Sequence, residues 1–118
     1  MPNRNYLIGY RFEMRVLKYF SKLGYYVQRS PKSKGLYDLI AIPPLIDPTW
    51  YNFPYLIQCK KNGYVPKEEM KTLIECRAKW QGNPVIAWSD KKTRKLRLRD
   101  LDGIDLSLGA LMIKKPSP

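Results

Sequence analysis

The sequence predicts an α/β fold in which a helix, three strands, a second helix and two further strands follow one another in that order. Two observations carry the prediction. Phe12, Val16, Tyr19, Phe20 and Leu23 recur at helical spacing and stop at Gly24, whereas residues 36–42 and 54–60 are near-continuous apolar runs of strand length. The chain's 118 residues allow one modest core, and 44% hydrophobic with 13% aromatic content is enough to fill it. One domain over residues 1–118 is expected, with 1–7 as a basic arm and 114–118 as a flexible tail.

Charge is the strongest global signal. There are 22 Lys and Arg against 10 Asp and Glu and no His, a net charge of +12. So large a surplus on so small a domain points to a polyanion, of which nucleic acid is the commonest. The lack of His excludes Ser-His-Asp triads, His-metal hydrolases and nucleases with a His base. Any catalysis must rest on carboxylates, lysine and a bound cation. No apolar run approaches the roughly 20 residues of a membrane span, so a soluble, intracellular (cytoplasmic) protein is expected. Cys59 and Cys76 have no metal-ligand spacing and read as core thiols.

The first helix is predicted over 8–23. Glu13 is its anomaly, because Val16, Leu17 and Phe20 lie three, four and seven positions on, which places the acid at the border of the buried stripe. It either snorkels to water or faces a cation or polar cleft. A strand over 25–30 follows the glycine directly. The basic turn 31–35 leads to the second strand, 36–42, in which Asp38 interrupts apolar residues and shares a face with Ile40 and Ile42. An ionised Asp there is costly unless an arginine or a metal meets it.

Residues 43–52, with Pro43, Pro44, Pro48 and Trp50, read as a long connection. The third strand, 54–60, sends Tyr55, Ile57 and Cys59 to one face and Leu56, Gln58 and Lys60 to the other. Gln58 and Lys60 therefore project together, either at an exposed strand end or toward a polar site. After the Asn62-Gly63 turn, Pro66 suits a first helical position with Glu68 and Glu69 in the opening turn. Met70, Leu73, Ile74 and Trp80 supply the stripe of this second helix, which stops at Gly82. Strands over 84–88 and 93–99 form a hairpin through 89–92, with Leu96 and Leu98 inward. The segment 102–113 is expected to be weakly helical, and Ile104, Leu106, Leu108, Leu111, Met112 and Ile113 give it more apolar surface than a chain end requires.

A helix acid, a strand acid and Gln-x-Lys in this element order resemble the PD-(D/E)xK nuclease superfamily, and within it the archaeal-type Holliday-junction resolvases. The stretch Arg29-Ser30-Pro31-Lys32-Ser33-Lys34-Gly35-Leu36-Tyr37-Asp38-Leu39-Ile40-Ala41 is similar to their basic loop running into the aspartate strand. The similarity continues through Tyr64-Val65, Lys67, Met70, Leu73-Ile74-Glu75 and Gly82-Asn83-Pro84-Val85, and spans 9 to about 88.

The resemblance implies a restriction-endonuclease-like core with a central mixed sheet and a structure-selective DNA endonuclease of recombination and repair. Such an enzyme would resolve four-way junctions by paired nicks as a homodimer. Carried over position by position, Glu13 is the helix acid, Asp38 the central metal ligand and Lys60 the motif lysine, while Arg29 holds the scissile phosphate. Gln58 departs from the pattern, since the resolvases have a second metal-ligating acid there. Mrr-like and VRR-type nucleases do use Gln-x-Lys, and an amide oxygen still offers a hard cation a ligand without charge.

Mg²⁺ held by Asp38, Gln58 and Glu13, with Mn²⁺ able to substitute, would polarise the phosphate and acidify a water. Ser30, Lys32, Lys34, Lys61 and Lys67 would grip flanking backbones without reading sequence. Two alternatives stay open: an Mrr-like or VRR-type nuclease on another DNA substrate, and a DNA-binding module on a degenerate nuclease fold.

Overall fold

A computed structural model of the chain describes residues 4–30, 37–44, 53–79 and 82–106. The elements are α1 (Arg4–Lys22), β1 (Tyr26–Arg29), β2 (Leu39–Ile42), β3 (Tyr55–Cys59), α2 (Lys67–Lys79), β4 (Asn83–Ser89) and β5 (Leu96–Arg99). That order is the one expected from the sequence. The five strands form one mixed sheet in the order β1-β2-β3-β4-β5. The β3–β4 pair is parallel and joined through α2, and the other three pairs are antiparallel. Only a crossover of helix length can return a chain to pair in parallel, so α2 and the parallel pair imply one another.

α1 starts at Arg4 rather than Ile8, so residues 4–7 of the expected arm are helical. It buries Phe12, Val16 and Phe20, spaced four apart and thus stacked on one face, against Leu39, Ala41, Ile57, Val85, Ala87 and Leu98 of the sheet. Burial of each large apolar side chain contributes roughly 1.5–3 kcal/mol. Beyond Lys22 the chain turns through Gly24 at φ +96°, with Tyr25 N–H donating back to the Phe20 carbonyl. Tyr25 then packs edge-on against Phe20, its ring 5.3 Å away.

The opposite face of the sheet receives α2. Leu73 and Cys76 are its buried residues, while Ile74, expected in the stripe, is 43% exposed. Trp80 lies outside the described residues, as do the basic turn 31–35, most of the 43–52 connection and the tail. Cys76 is buried as expected, whereas Cys59 is half-buried, and both are free thiols. The β4–β5 turn extends through Arg94, beyond the 89–92 expected. Residues 102–106 are not helical: Asp105 bridges to Arg99 beside β5, and Leu106 N–H donates to the Leu98 carbonyl. Among the described residues no helix is long and apolar enough to cross a membrane.

Candidate active site

The site forms where the starts and ends of β1, β2 and β3 meet the flank of α1. Asp38 sits in a bend one residue before β2, not inside the strand as the apolar run suggested. Its backbone keeps the sheet ladder all the same. Ser30 N–H donates to the Asp38 carbonyl and Asp38 N–H donates to the Ile57 carbonyl, both at 2.9 Å. The carboxylate turns to accept the Cys59 N–H, with Oδ2 at 2.7 Å. A backbone amide of β3 therefore meets part of the desolvation cost that the sequence assigned to an arginine or a metal.

Arg29, at the end of β1, pairs with Glu13 instead. Its Nη2 lies 3.1 Å from Glu13 Oε2, and its guanidinium stacks 4.8 Å from the centre of the Tyr10 ring. Glu13 does face inward, with a side chain 20% exposed. Burial pushes its pKa up, the nearby Asp38 charge pushes it further, and the Arg29 contact pulls it part of the way back. The Cys59 thiol is pushed up by burial and then by the Asp38 and Glu13 charges. The Asp38 charge thus opposes ionisation of Glu13, and both carboxylates oppose ionisation of the Cys59 thiol.

β3 supplies the amide and the ammonium. Tyr55, Ile57 and Cys59 turn toward the α1 core, and Lys60, just past the strand, turns the other way. Its Nζ lies 2.8 Å from Glu69 Oε2 of α2. Gln58 Oε1 is buried and accepts no hydrogen bond. Glu13, Arg29, Ser30, Tyr37, Asp38, Gln58, Lys60 and Lys61 line one cleft of about 890 Å³. Lys67 does not join them, because it borders a separate apolar hollow with Val65, Met70 and Ile74. Lys32 and Lys34 lie outside the described residues.

Sequence reasoning missed a second basic cleft of about 800 Å³, which shares Cys59, Lys60 and Lys61 with the first and adds Arg15, Asn62, Lys91 and Arg94. Arg15 Nη2 donates to the Arg94 carbonyl at 2.6 Å, holding a turn in which Arg94 takes a left-handed φ of +59°. Nothing in the pattern could have paired residues 79 positions apart. Glu69 was missed differently, since an acid in a first helical turn already has a reason to be there.

A divalent cation fits the donors of the main cleft. Burial and the nearby Asp38 charge raise the proton affinity of Glu13, and the orphaned Gln58 oxygen is a neutral ligand in want of a partner. All three donate oxygen, as Mg²⁺ requires, and Mg²⁺ is commonly held by one or two carboxylates with water and substrate phosphate completing the shell. Among the described residues no group of three or more acidic, thiol or imidazole side chains is arranged to hold a metal ion.

An acidic pocket ringed by fixed cations suits hydrolysis of a phosphodiester backbone, and with the mixed sheet it places the chain among nucleases of restriction-endonuclease-like fold. A family profile described as archaeal Holliday junction resolvase (Hjc) matches residues 4–114. The chain belongs to that family, and its class of activity is that of a Holliday-junction-resolving nuclease. A solved structure of Archaeoglobus fulgidus Hjc, a Holliday junction resolvase from an archaeal hyperthermophile, is similar with a TM-score of 0.57. The two share 18% identity over 80% of this chain and 73% of that chain, a likeness of fold. No curated protein matches the chain.

Proposed function

We propose that this chain resolves four-way DNA junctions by cation-dependent hydrolysis, one strand per site, with two copies making paired nicks. The observation that carries the reading is the convergence of Glu13, Asp38, the buried Gln58 oxygen and Lys60 on one cleft flanked by arginine and lysine. Asp38, Gln58 and Glu13 would hold Mg²⁺, or Mn²⁺ in its place. When bound, the ion supplies Lewis-acid chemistry to the scissile phosphate and its attacking water.

The chain's own residues do the rest. Arg29 presents a planar fork that takes two phosphate oxygens, and Glu13 together with the Tyr10 ring holds that fork at the mouth of the cleft. Lys60 orients the attacking water and, as a fixed cation, stabilises the charge that grows on the phosphate oxygens. Asp38, anchored by the Cys59 amide, keeps its remaining oxygen for the cation. Ser30, Lys61, Lys32 and Lys34 contact the flanking backbones, where contacts position the duplex without reading its sequence.

The test is cleavage of a synthetic four-way junction with Mg²⁺, linear duplex as control, by the wild type and Asp38→Asn. Wild type should nick the junction in two symmetric places and spare the duplex. Asp38→Asn should lose cleavage and keep or improve junction binding, because it removes a charge near phosphates while dismantling the cation site. An Asp38→Asn variant that cuts at the wild-type rate sinks the site assignment. Junction binding without cleavage by the wild type would favour the DNA-binding module, for which the uncharged Gln58 is the specific argument.

A further inference from the structure

Glu69 belongs to none of the functions assigned so far, yet it touches Lys60, the lysine proposed to orient the attacking water. α2 opens after Pro66, and Met70 N–H donates to the Pro66 carbonyl, so Glu69 stands in the first turn. The positive end of the helix dipole favours a carboxylate there. From that position Glu69 Oε2 reaches Lys60 Nζ at 2.8 Å. An ion pair in open water contributes little. This one is partly enclosed: the Lys60 side chain is 24% exposed and that of Glu69 45%, and Oε2, itself out of water, meets the ammonium as an ion pair without hydrogen-bond geometry.

Lys60 needs such a partner. Its backbone is fixed, with its N–H donating to the Ala87 carbonyl, but its four-carbon stem is flexible. The residue that shares its face of β3 is Gln58, which is neutral. Among the described residues the carboxylate beside Lys60 comes from α2.

We propose that Glu69 is a positioning residue that holds the Lys60 ammonium at the cleft and supplies from α2 the negative charge that Gln58 does not supply from β3. Its catalytic consequence rests on the nuclease reading above.

The first measurement needs neither metal nor DNA. Side-chain ¹³Cε relaxation in the metal-free protein should show Lys60 more ordered than the exposed Lys71 and Lys91, and Glu69→Gln should bring it to their level. In the second, single-turnover cleavage of a saturating junction should slow on the order of 10²-fold in Glu69→Gln, the scale of a displaced catalytic group. Metal-free junction affinity should be unchanged, and Glu69→Asp should recover part of the rate. Gln58→Glu should restore both Lys60 order and rate more in the Glu69→Gln background than it alters them in the wild type, which a merely structural Glu69 would not allow. Wild-type Lys60 as mobile as Lys71, or a Glu69→Gln rate equal to wild type, overturns the inference. If the wild type cuts no junction, the nuclease reading fails, and the relaxation measurement still decides the Lys60–Glu69 contact by itself.

Discussion

Gln58 differs from a glutamate by one amide nitrogen, and beside a cation that exchange removes a full ligand charge. Gln58→Glu should therefore lower the Mg²⁺ concentration at half-maximal rate, read from a metal titration of junction cleavage. An unchanged titration would take Gln58 out of the metal set. Glu13 gives a pH prediction for the metal-free chain. Its pKa is raised in the fold above the ordinary carboxylate value, so the folded state holds that proton more tightly than the unfolded state. The contribution is present at acid pH and is lost as pH rises through the folded value. In chelator, the melting temperature of Glu13→Gln should thus gain on the wild type as pH rises from about 4, near the ordinary Glu value. Parallel profiles would mean that Asp38 and burial do not strain Glu13. Glu13, Asp38 and Lys60 were legible in the sequence because a charge stands out in an apolar pattern, whereas Glu69 and Arg15 were not, because nothing about their neighbours made a charge unusual.

The elements show the same division between pattern and contact. All seven appear in the predicted order, since periodicity and the punctuation at Gly24, Pro66 and Gly82 are local properties of the chain. Bounds moved where tertiary bonds decided them. β2 begins at Leu39, with Asp38 in a bend whose carboxylate accepts the Cys59 N–H, and 102–106 follow β5 because Asp105 bridges to Arg99. The turn after β3 decides where Lys60 and Lys61 stand. Gly63 there has φ +79°, its N–H donates to the Lys60 carbonyl at 2.7 Å, and its own carbonyl accepts Arg99 Nη2 at 3.1 Å. A Cβ at Gly63 would come within 3.3 Å of Trp88 Cγ and would sit in the left-handed region. Gly63→Ala should destabilise the fold by about 1–2 kcal/mol from the backbone alone. Urea unfolding measures this loss, and an unchanged midpoint would mean that the turn relaxes into another conformation. Arg15→Ala tests the β4–β5 turn: freeing Arg94 should weaken junction binding without altering the metal titration, and equal affinity would remove the second cleft from the DNA surface.

For the whole molecule, the +12 charge predicts that junction affinity falls steeply with salt, with a log-log slope of several units from released counterions. A flat response would remove a phosphate backbone as the ligand. The charge explains attraction to DNA but not two cuts. Among the described residues one cluster of acids would nick one strand, whereas resolution needs paired nicks in strands related by an approximate two-fold axis, so the assembly we propose is a C₂ homodimer that supplies the second site. The run 104–113 is the proposed interface, although 107–113 lie outside the described residues. The alternative is that this run caps the sheet, and of the described part Leu106 packs onto the core as a cap would, while Ile104, at 61% exposure, points away from it at the β5 side of the sheet. Light scattering at micromolar concentration should give about twice the 13.9 kDa chain mass. Ile104→Asp, Leu108→Asp and Met112→Asp should each shift that mass toward one chain and replace paired cuts by single nicks. A clean monomer that still makes symmetric paired nicks would defeat the dimer, and a monomer that only nicks would turn the reading toward a nuclease with a different DNA substrate.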